Sequence, residues 1–478
     1  EYKEYERGIA TWLNAWIGPL VDGYLRRLGE GLQPASVTVM QSSGGTVSAD
    51  QAGRRAVRLL LSGPAGGLMG ARFIGLQAGD SRLLTFDMGG TSTDVALVDG
   101  DIQLTSEGHI GPWPVAVPMV DMHTIGAGGG SIAYIDAGGL LQVGPESAGA
   151  APGPACYGKG GPRPAVTDAN LVLGRLQPDA FLGGAMTLDA GAARQAVATL
   201  AAPLGLTIEA AAQGIVDIAN EHMAQALRVI SVQRGIDPRD HVLVSFGGAG
   251  GLHVCALAEA LGMRRALVPV HAGVLSALGM LAAPRARQLS CTLTGLLQDF
   301  TGEDLEQALQ ALADSGISAM REEGIPAADL DTLYSLDLRY QGQSYTLNLP
   351  WQGLAETGEA FHLLHNRRYG HRLATPVELV NIRCNLRGRP PQICLPAIEI
   401  DATDRAPPRV VPLVGCPEPV PVWPRQQLTA GQVFAGPALV TETVATTWLP
   451  GGWECRVDPV GNLQLTREMS RLDGGHPA

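Results

Sequence analysis

The chain has 478 residues, 45% hydrophobic and 17% charged, with a mean hydropathy of +0.10. That is too apolar and too lightly charged for a disordered protein, and the length allows about three domains at most. A net charge of −12 argues against a general nucleic-acid binder, which needs a basic face.

Glycine accounts for 62 residues, nearly twice the usual share of roughly 7%, and no collagen-like triplet uses them, so the excess belongs to turns and loops. The seven cysteines are scattered and form no C-x-x-C pair, which fits reduced thiols in a cytoplasmic protein. The opening Glu1–Arg7 is charged and lacks the apolar core of a signal peptide. Pro269, His271, Gly273 and Gly279 interrupt the most apolar stretch, 266–283, which reads as strand, loop and buried helix rather than a membrane span. The chain starts without Met inside a helical pattern, as expected of a fragment of something longer.

In chain order, residues 1–30 read as a helix, with Ile9, Leu13, Trp16, Ile17, Leu20, Tyr24, Leu25 and Leu28 at three- and four-residue steps. A short strand, 36–40, runs into the polar glycine turn Gln41-Ser42-Ser43-Gly44-Gly45. The loop 62–67 leads into a small-residue helix at about 66–75. Leu83 to Asp87 is strand-like, Met88-Gly89-Gly90-Thr91-Ser92-Thr93-Asp94 is a loop, and Val95 to Val98 is strand-like again, ending on an Asp99-Gly100 hairpin turn. This glycine loop therefore joins strand to strand. The same grammar returns at Thr124 to Ser131, before a Pro/Gly-rich loop at 144–165. Thr167-Asp168 reads as the N-cap of a helix at 169–176. Residues 208–234 form the clearest helix. Then come a buried strand, 242–246, the loop Gly247-Gly248-Ala249-Gly250-Gly251, a helix at 252–261 and a strand at 265–270, a βαβ unit. After about residue 290 the pattern changes to an amphipathic helix, 303–323, and several short strands, with a polar tail from about Arg471. A division into a core, 1–290, and a β-rich α+β C-terminal domain, 291–478, is expected.

Glycine loops bring backbone N–H groups close to phosphate oxygens. The loop 87–94 adds three hydroxyls that can donate to phosphate and two carboxylates that can hold Mg²⁺ through water or orient a nucleophile. No G-x-x-x-x-G-K-[ST] occurs, which excludes a P-loop NTPase, and no G-x-G-x-x-G sits between a strand and a helix near an acidic partner. Two hairpin-type glycine loops followed by a strand–GGAGG–helix resemble the actin/Hsp70/sugar-kinase (ribonuclease H-like) ATPase fold, an α/β class.

The longer motifs are more specific. They are Tyr5-Glu6-Arg7, Met40 to Gly45, Leu61 to Gly67, TFDMGGTSTDVAL at 85–97, VDMHTIGAGGGS at 120–131, GPACYG at 153–158, Thr167 to Gly174, FGGAGGLH at 246–253, GVLSALG at 273–279, RYQGQSY at 339–345, Tyr369-Gly370-His371 and Gly436-Pro437-Ala438. Through them nearly the whole chain resembles the A-type subunit of the hydantoinase/oxoprolinase family, which includes N-methylhydantoinase, 5-oxoprolinase and acetone carboxylase subunits.

The resemblance implies an ATP- and Mg²⁺-dependent opening of a cyclic amide such as a hydantoin or 5-oxoproline, with a ketone carboxylase subunit as the second reading and a non-catalytic subunit or truncated fragment as a third. It implies a separate B-type partner subunit. Asp87 takes the metal–water or base role. Gly89, Gly90, Thr91, Ser92 and Thr93 hold the β/γ-phosphates, Gly126, Gly128, Gly129 and Gly130 line the same cleft, and Gly247, Gly248 and Gly250 lie on the nucleoside side. Asp94 either shares the catalytic role or caps its own loop. The chain departs from the family pattern in starting after the domain that carries a first phosphate loop, so these residues alone are expected to bind ATP weakly and not to turn over.

Other candidates carry two readings. Asp121 and His123 share a strand face and form either a metal or substrate contact or a satisfied loop pair. His362, His365 and His371 have near-zinc spacing, but the adjoining Arg367, Arg368 and Tyr369 suggest a solvated helix face. His253 reads as a packing or cap residue. Cys156 is a conceivable nucleophile with no assignable His partner.

Overall fold

A computed structural model describes residues 3–398 and 409–467; the expected polar tail from about Arg471 lies outside the described residues. The chain forms two compact units. One comprises residues through Met69, Leu104–Asp121 and Met280–Ile393; the other comprises Gly70–Gln103, Met122–Gly279 and the described residues from Cys394 onward. Both units draw on residues from either side of position 290.

The second unit is built on a mixed sheet, nine-stranded among the described residues. Its order is Met122–Ile125, Thr93–Asp99, Arg82–Met88, Val242–Phe246, Arg265–Val268, Leu463–Arg467, Trp453–Val457 and Val433–Ala435, with Asp101–Ile102 paired to Thr93–Asp99. The inner strands are continuous apolar runs because both faces are covered. Leu83, Leu84, Phe86, Val95, Leu243, Val244 and Leu267 are all buried in one core. Helix Ile208–Ile230 contributes Ile215, Met223, Leu227 and Ile230 to that core and packs against the strands Thr93–Asp99 and Met122–Ile125. Strands Val242–Phe246 and Arg265–Val268 are parallel, joined through helix Val254–Ala260, which is the βαβ unit legible in the sequence. Strand Leu463–Arg467 pairs antiparallel with Arg265–Val268, so strands near the C-terminus extend this sheet.

A second, four-stranded sheet of the same unit holds Ala438–Thr441 and Thr446–Leu449. Beside it, Arg425 and Glu442 form a buried ion pair at 2.9 Å, and Arg425 also donates to the carbonyls of Gly461 and Val268.

The first unit holds an antiparallel sheet ordered Ala286–Leu296, Val377–Gly388, Leu330–Tyr340, Leu347–Pro350. Helices Gly302–Glu322 and Leu354–Tyr369 cover it. The helix read at 303–323 is thus found, started by a capping box between Thr301 and Asp304. The N-terminal helix Glu4–Gly31 is also found, but Trp16, Leu20 and Tyr24 of its apolar pattern are exposed, and the buried positions are Ala10, Leu13, Gly18 and Leu25. His365 corrects the solvated-face reading: it is buried, whereas Arg367, Arg368 and Tyr369 are exposed. His365 Nδ1 donates to the His371 carbonyl at 3.0 Å, Gln343 Nε2 donates to its Nε2 at 3.3 Å, and Tyr340 bonds His362. Among the described residues no single helix is long and apolar enough to cross a membrane, though one bent pair, Ala190–Leu204 with Ile208–Arg234, passes that test jointly. The 266–283 stretch resolves into strand Arg265–Val268 and helix Leu275–Ala282.

Candidate active site

Strand direction builds the site. Arg82–Met88 runs parallel to Val242–Phe246, and Thr93–Asp99 returns antiparallel to it. Met122–Ile125 is antiparallel to Thr93–Asp99. Loops 89–92, 126–130 and 247–251 therefore all emerge at one end of the sheet, the edge where open α/β sheets bind ligands. Hydrogen bonds knit them together. Gly129 N donates to Gly89 O at 3.0 Å, Gly130 N to Gly90 O at 2.7 Å, and Ala249 N to Met88 O at 3.1 Å.

Asp87 and Asp94 face each other across the hairpin. Burial, together with the nearby Asp94 charge, pushes the Asp87 carboxyl up to about 6. Burial raises Asp94 too, but its hydrogen bond from Thr124 Oγ1, at 2.7 Å, opposes the shift. Thr124 lies opposite Asp94 on the next strand, so three polar residues line one stripe across the sheet end. A Cβ on Gly247 would strike the Asp87 carboxylate and the Met88 carbonyl, and its φ of +80° also favours glycine.

The predicted phosphate ligands divide by what their polar groups already do. Thr93 is buried and its hydroxyl donates to Ala127 O, so it braces the loop. The amides of Gly128, Gly129 and Gly130 are spent on Ser131 Oγ and on the hairpin carbonyls. A Cβ on Gly128 would lie 2.7 Å from Thr91 N and 2.8 Å from Ser92 N, which makes it a close-approach glycine pressed on the hairpin tip. Gly126 meets Pro145 in the same way, and Gly250 packs against Ser245 Oγ. The N–H groups of Gly90, Thr91 and Ser92 make no hydrogen bond among the described residues. Gly90 and Thr91 are exposed, and so is Gly248 on the third loop. These tip amides are the open donors.

Asp121 closes one compact unit, while His123 lies on strand Met122–Ile125 of the other, opposite Val95. No group of three or more His, Cys, Asp or Glu among the described residues is placed to hold a metal ion. Asp87 with Asp94 is the acidic pair at the loop edge. Magnesium suits such a pair, because it keeps several waters and takes one or two carboxylates beside phosphate oxygens.

The partners of Cys156 and Asp168 define their roles. Cys156 is buried, and burial together with the Asp168 carboxylate pushes its thiol far above the ordinary range, the opposite of an activated nucleophile. Asp168 is a structural anchor: it accepts from the backbone N–H groups of Ala155, Cys156 and Ala165. The helix there is Val166–Val172 rather than 169–176, with Asp168 inside its first turn. Thr167, missed as a site-shaping residue, donates its hydroxyl to Gly129 O at 2.7 Å and so ties that helix to the second glycine loop. The packing reading of His253 agrees with the geometry. The ring is buried, bonded to Asn220 at 2.6 Å and held down to about 3 by burial and Arg175.

Similarity to known proteins shows the family. The family model described as Hydantoinase/oxoprolinase matches residues 7–288. The caprolactamase subunit alpha of Pseudomonas jessenii is 36% identical over 98% of this chain and 70% of its own length. The crystal structure of ATP-dependent caprolactamase from the same organism superposes with a TM-score of 0.86 at 35% identity, covering 96% of this chain and 70% of that one. 5-Oxoprolinase 1 of Arabidopsis thaliana is 31% identical over 97% of this chain and 38% of its length. A nucleotide-free acetone carboxylase structure gives a TM-score of 0.71 at 25% identity, covering 91% of this chain and 64% of that one. The chain belongs to the hydantoinase/oxoprolinase family.

Proposed function

We propose that this chain is a subunit of an ATP-dependent cyclic-amide hydrolase, and that the hairpin tip 89–92 receives the nucleotide phosphates. The observation that carries the reading is the Asp87–Asp94 pair at a sheet edge where three glycine loops converge. The similarity to caprolactamase over almost the whole chain supports it. An actin/Hsp70/sugar-kinase-like core is part of the same proposal.

An amide carbonyl is a poor electrophile. Transfer of the γ-phosphoryl group to its oxygen gives an imidate-like phosphate. Water adds to the carbon, the ring C–N bond breaks as the nitrogen takes a proton, and the acyl phosphate that remains is hydrolysed by a second water to the carboxylate and phosphate. Such transfer needs positioning and charge neutralisation more than covalent help. The amides of Gly90, Thr91 and Ser92, with the Thr91 and Ser92 hydroxyls, supply donors toward the phosphates. Gly89 shapes the turn through its bond to Ser92 O. Gly247 keeps space beside Asp87, which holds or removes a proton on the attacking oxygen. Asp94 keeps that carboxyl basic through its charge. Mg²⁺ would neutralise phosphate charge when bound, and Asp87 and Asp94 are the residues that would hold it. Asp121 and His123 stay a secondary metal proposal.

A cytoplasmic heteromer with a B-type partner belongs to this reading; a relative named as a subunit alpha supports the multi-subunit part. The sequence holds one D-x-G-G-T-x-T-D loop, at 87–94. Low turnover by these 478 residues without a partner subunit is part of the proposal. The ketone-carboxylase reading ranks second, since the superposition on acetone carboxylase is poorer than that on caprolactamase.

The test is ATP hydrolysis by the assembled enzyme with caprolactam, 5-oxoproline and a hydantoin. Phosphate release that rises only with a cyclic amide, in step with ring-opened product, is expected. Release that rises with a ketone and bicarbonate instead would replace this reading by the carboxylase one.

A further inference from the structure

The Met40–Gly45 motif is not used by the phosphate site. In the first unit it builds something else. Ser42 N and Oγ both donate to the carbonyl of Arg58, at 2.7 and 2.8 Å, and Gln41 Nε2 donates to Ala286 O at 3.0 Å. Gly45 leaves no room for a side chain against Ala286. From the other side, Asn14 of the N-terminal helix bonds Arg54 O and Val57 N, which fixes the short segment carrying Arg55 and Arg58. A small, partly open recess results; Gln41, Gln51, Arg55, Arg58 and Arg287 provide its polar lining.

Its charge is not balanced. Glu323 serves both Arg285 and Arg287. Arg55 and Arg58 have no carboxylate partner among the described residues, and Arg58 spends one N–H on Gln288 O at 3.2 Å. Burial and the neighbouring Arg55 and Arg287 pull the Arg58 guanidinium down to about 10. Like charges gathered in a recess, in a chain of net charge −12, are stabilised by a bound anion. Guanidinium forks match carboxylate and phosphate oxygens bidentately.

We propose that this recess is a binding site for a small oxyanion group, a carboxylate or a phosphate, gripped by Arg55 and Arg58 with Arg287 and the Gln51 amide beside them. It shares no residue with the phosphate loop at 87–94, and it stands whether or not the chain hydrolyses amides.

Arginine modification by phenylglyoxal, mapped by peptide mass spectrometry, tests it with inorganic phosphate and acetate as probes. The Asp87→Asn variant is used alongside the parent chain to separate this site from the nucleotide loop. Saturable protection of Arg55 and Arg58 is expected, reaching about tenfold when the anion is at ten times its Kd, with exposed Arg54 unprotected. Protection by phosphate alone assigns a phosphoryl ligand; protection by acetate alone assigns a carboxylate. Arg58→Gln should remove the protection at Arg55. If that variant does not fold, Gln51→Ala should weaken it. Absence of protection by either anion, or equal protection at Arg54, overturns the proposal.

Discussion

Asp87→Asn is expected to lower cyclic-amide-dependent ATP hydrolysis by at least about 100-fold, the scale lost when a preorganised polar group at the reacting centre is removed. The variant should fold. Burial and Asp94 both disfavour the charged carboxylate, so a neutral amide of the same shape relieves a cost and should leave stability at neutral pH no lower than in the parent. The sign of the pH dependence follows from the same shift. With the carboxyl pushed up to about 6, the reactive carboxylate is present above that pH and is lost as pH falls through it. The rate should therefore climb with pH through about 6 in the parent, and the variant should lack that limb. Unchanged turnover, with a pH limb that survives the substitution, would remove Asp87 from the chemistry.

The second large effect concerns stability. Arg425→Met is expected to cost about 3–5 kcal/mol, because it leaves the Glu442 carboxylate buried without its partner. It also strands the carbonyls of Gly461 and Val268 that Arg425 satisfies. Burial raises the Glu442 carboxyl, so an unpaired Glu442 gains a proton readily and the loss should shrink as pH falls. Replacing both residues, Arg425→Met with Glu442→Leu, should recover much of the loss. Denaturant titration of the single and double variants reads this out. A loss below about 1 kcal/mol, the scale of an exposed pair, would contradict the burial argument.

The hairpin and its loops were legible because alternation and Asp-Gly or Gly-Gly turns are local signals. The strands Val242–Phe246 and Arg265–Val268 needed only their apolar runs and the intervening glycines. What escaped was set by partners far away in sequence. Thr93 reads as a phosphate hydroxyl until Ala127 is seen to accept from it. The glycines at 126–130 read as a second cradle, yet the Gly129 and Gly130 amides hold the first loop in place. His365 sits among charged neighbours in sequence but under Tyr340 and Phe361 in space, a fact that helical spacing alone does not carry. Leu463–Arg467 shows only a short strand; nothing local says that it joins Arg265–Val268, about two hundred residues earlier.

Hydrogen exchange with and without saturating Mg-ATP tests whether the hairpin tip 89–92 receives the nucleotide. Slowed exchange is expected in peptides covering 87–94 and 247–251, centred on the Gly90, Thr91 and Ser92 amides, with no change in the strand Ala286–Leu296. Binding of Mg-ATP that leaves the 87–94 amides exchanging at their original rate would contradict it.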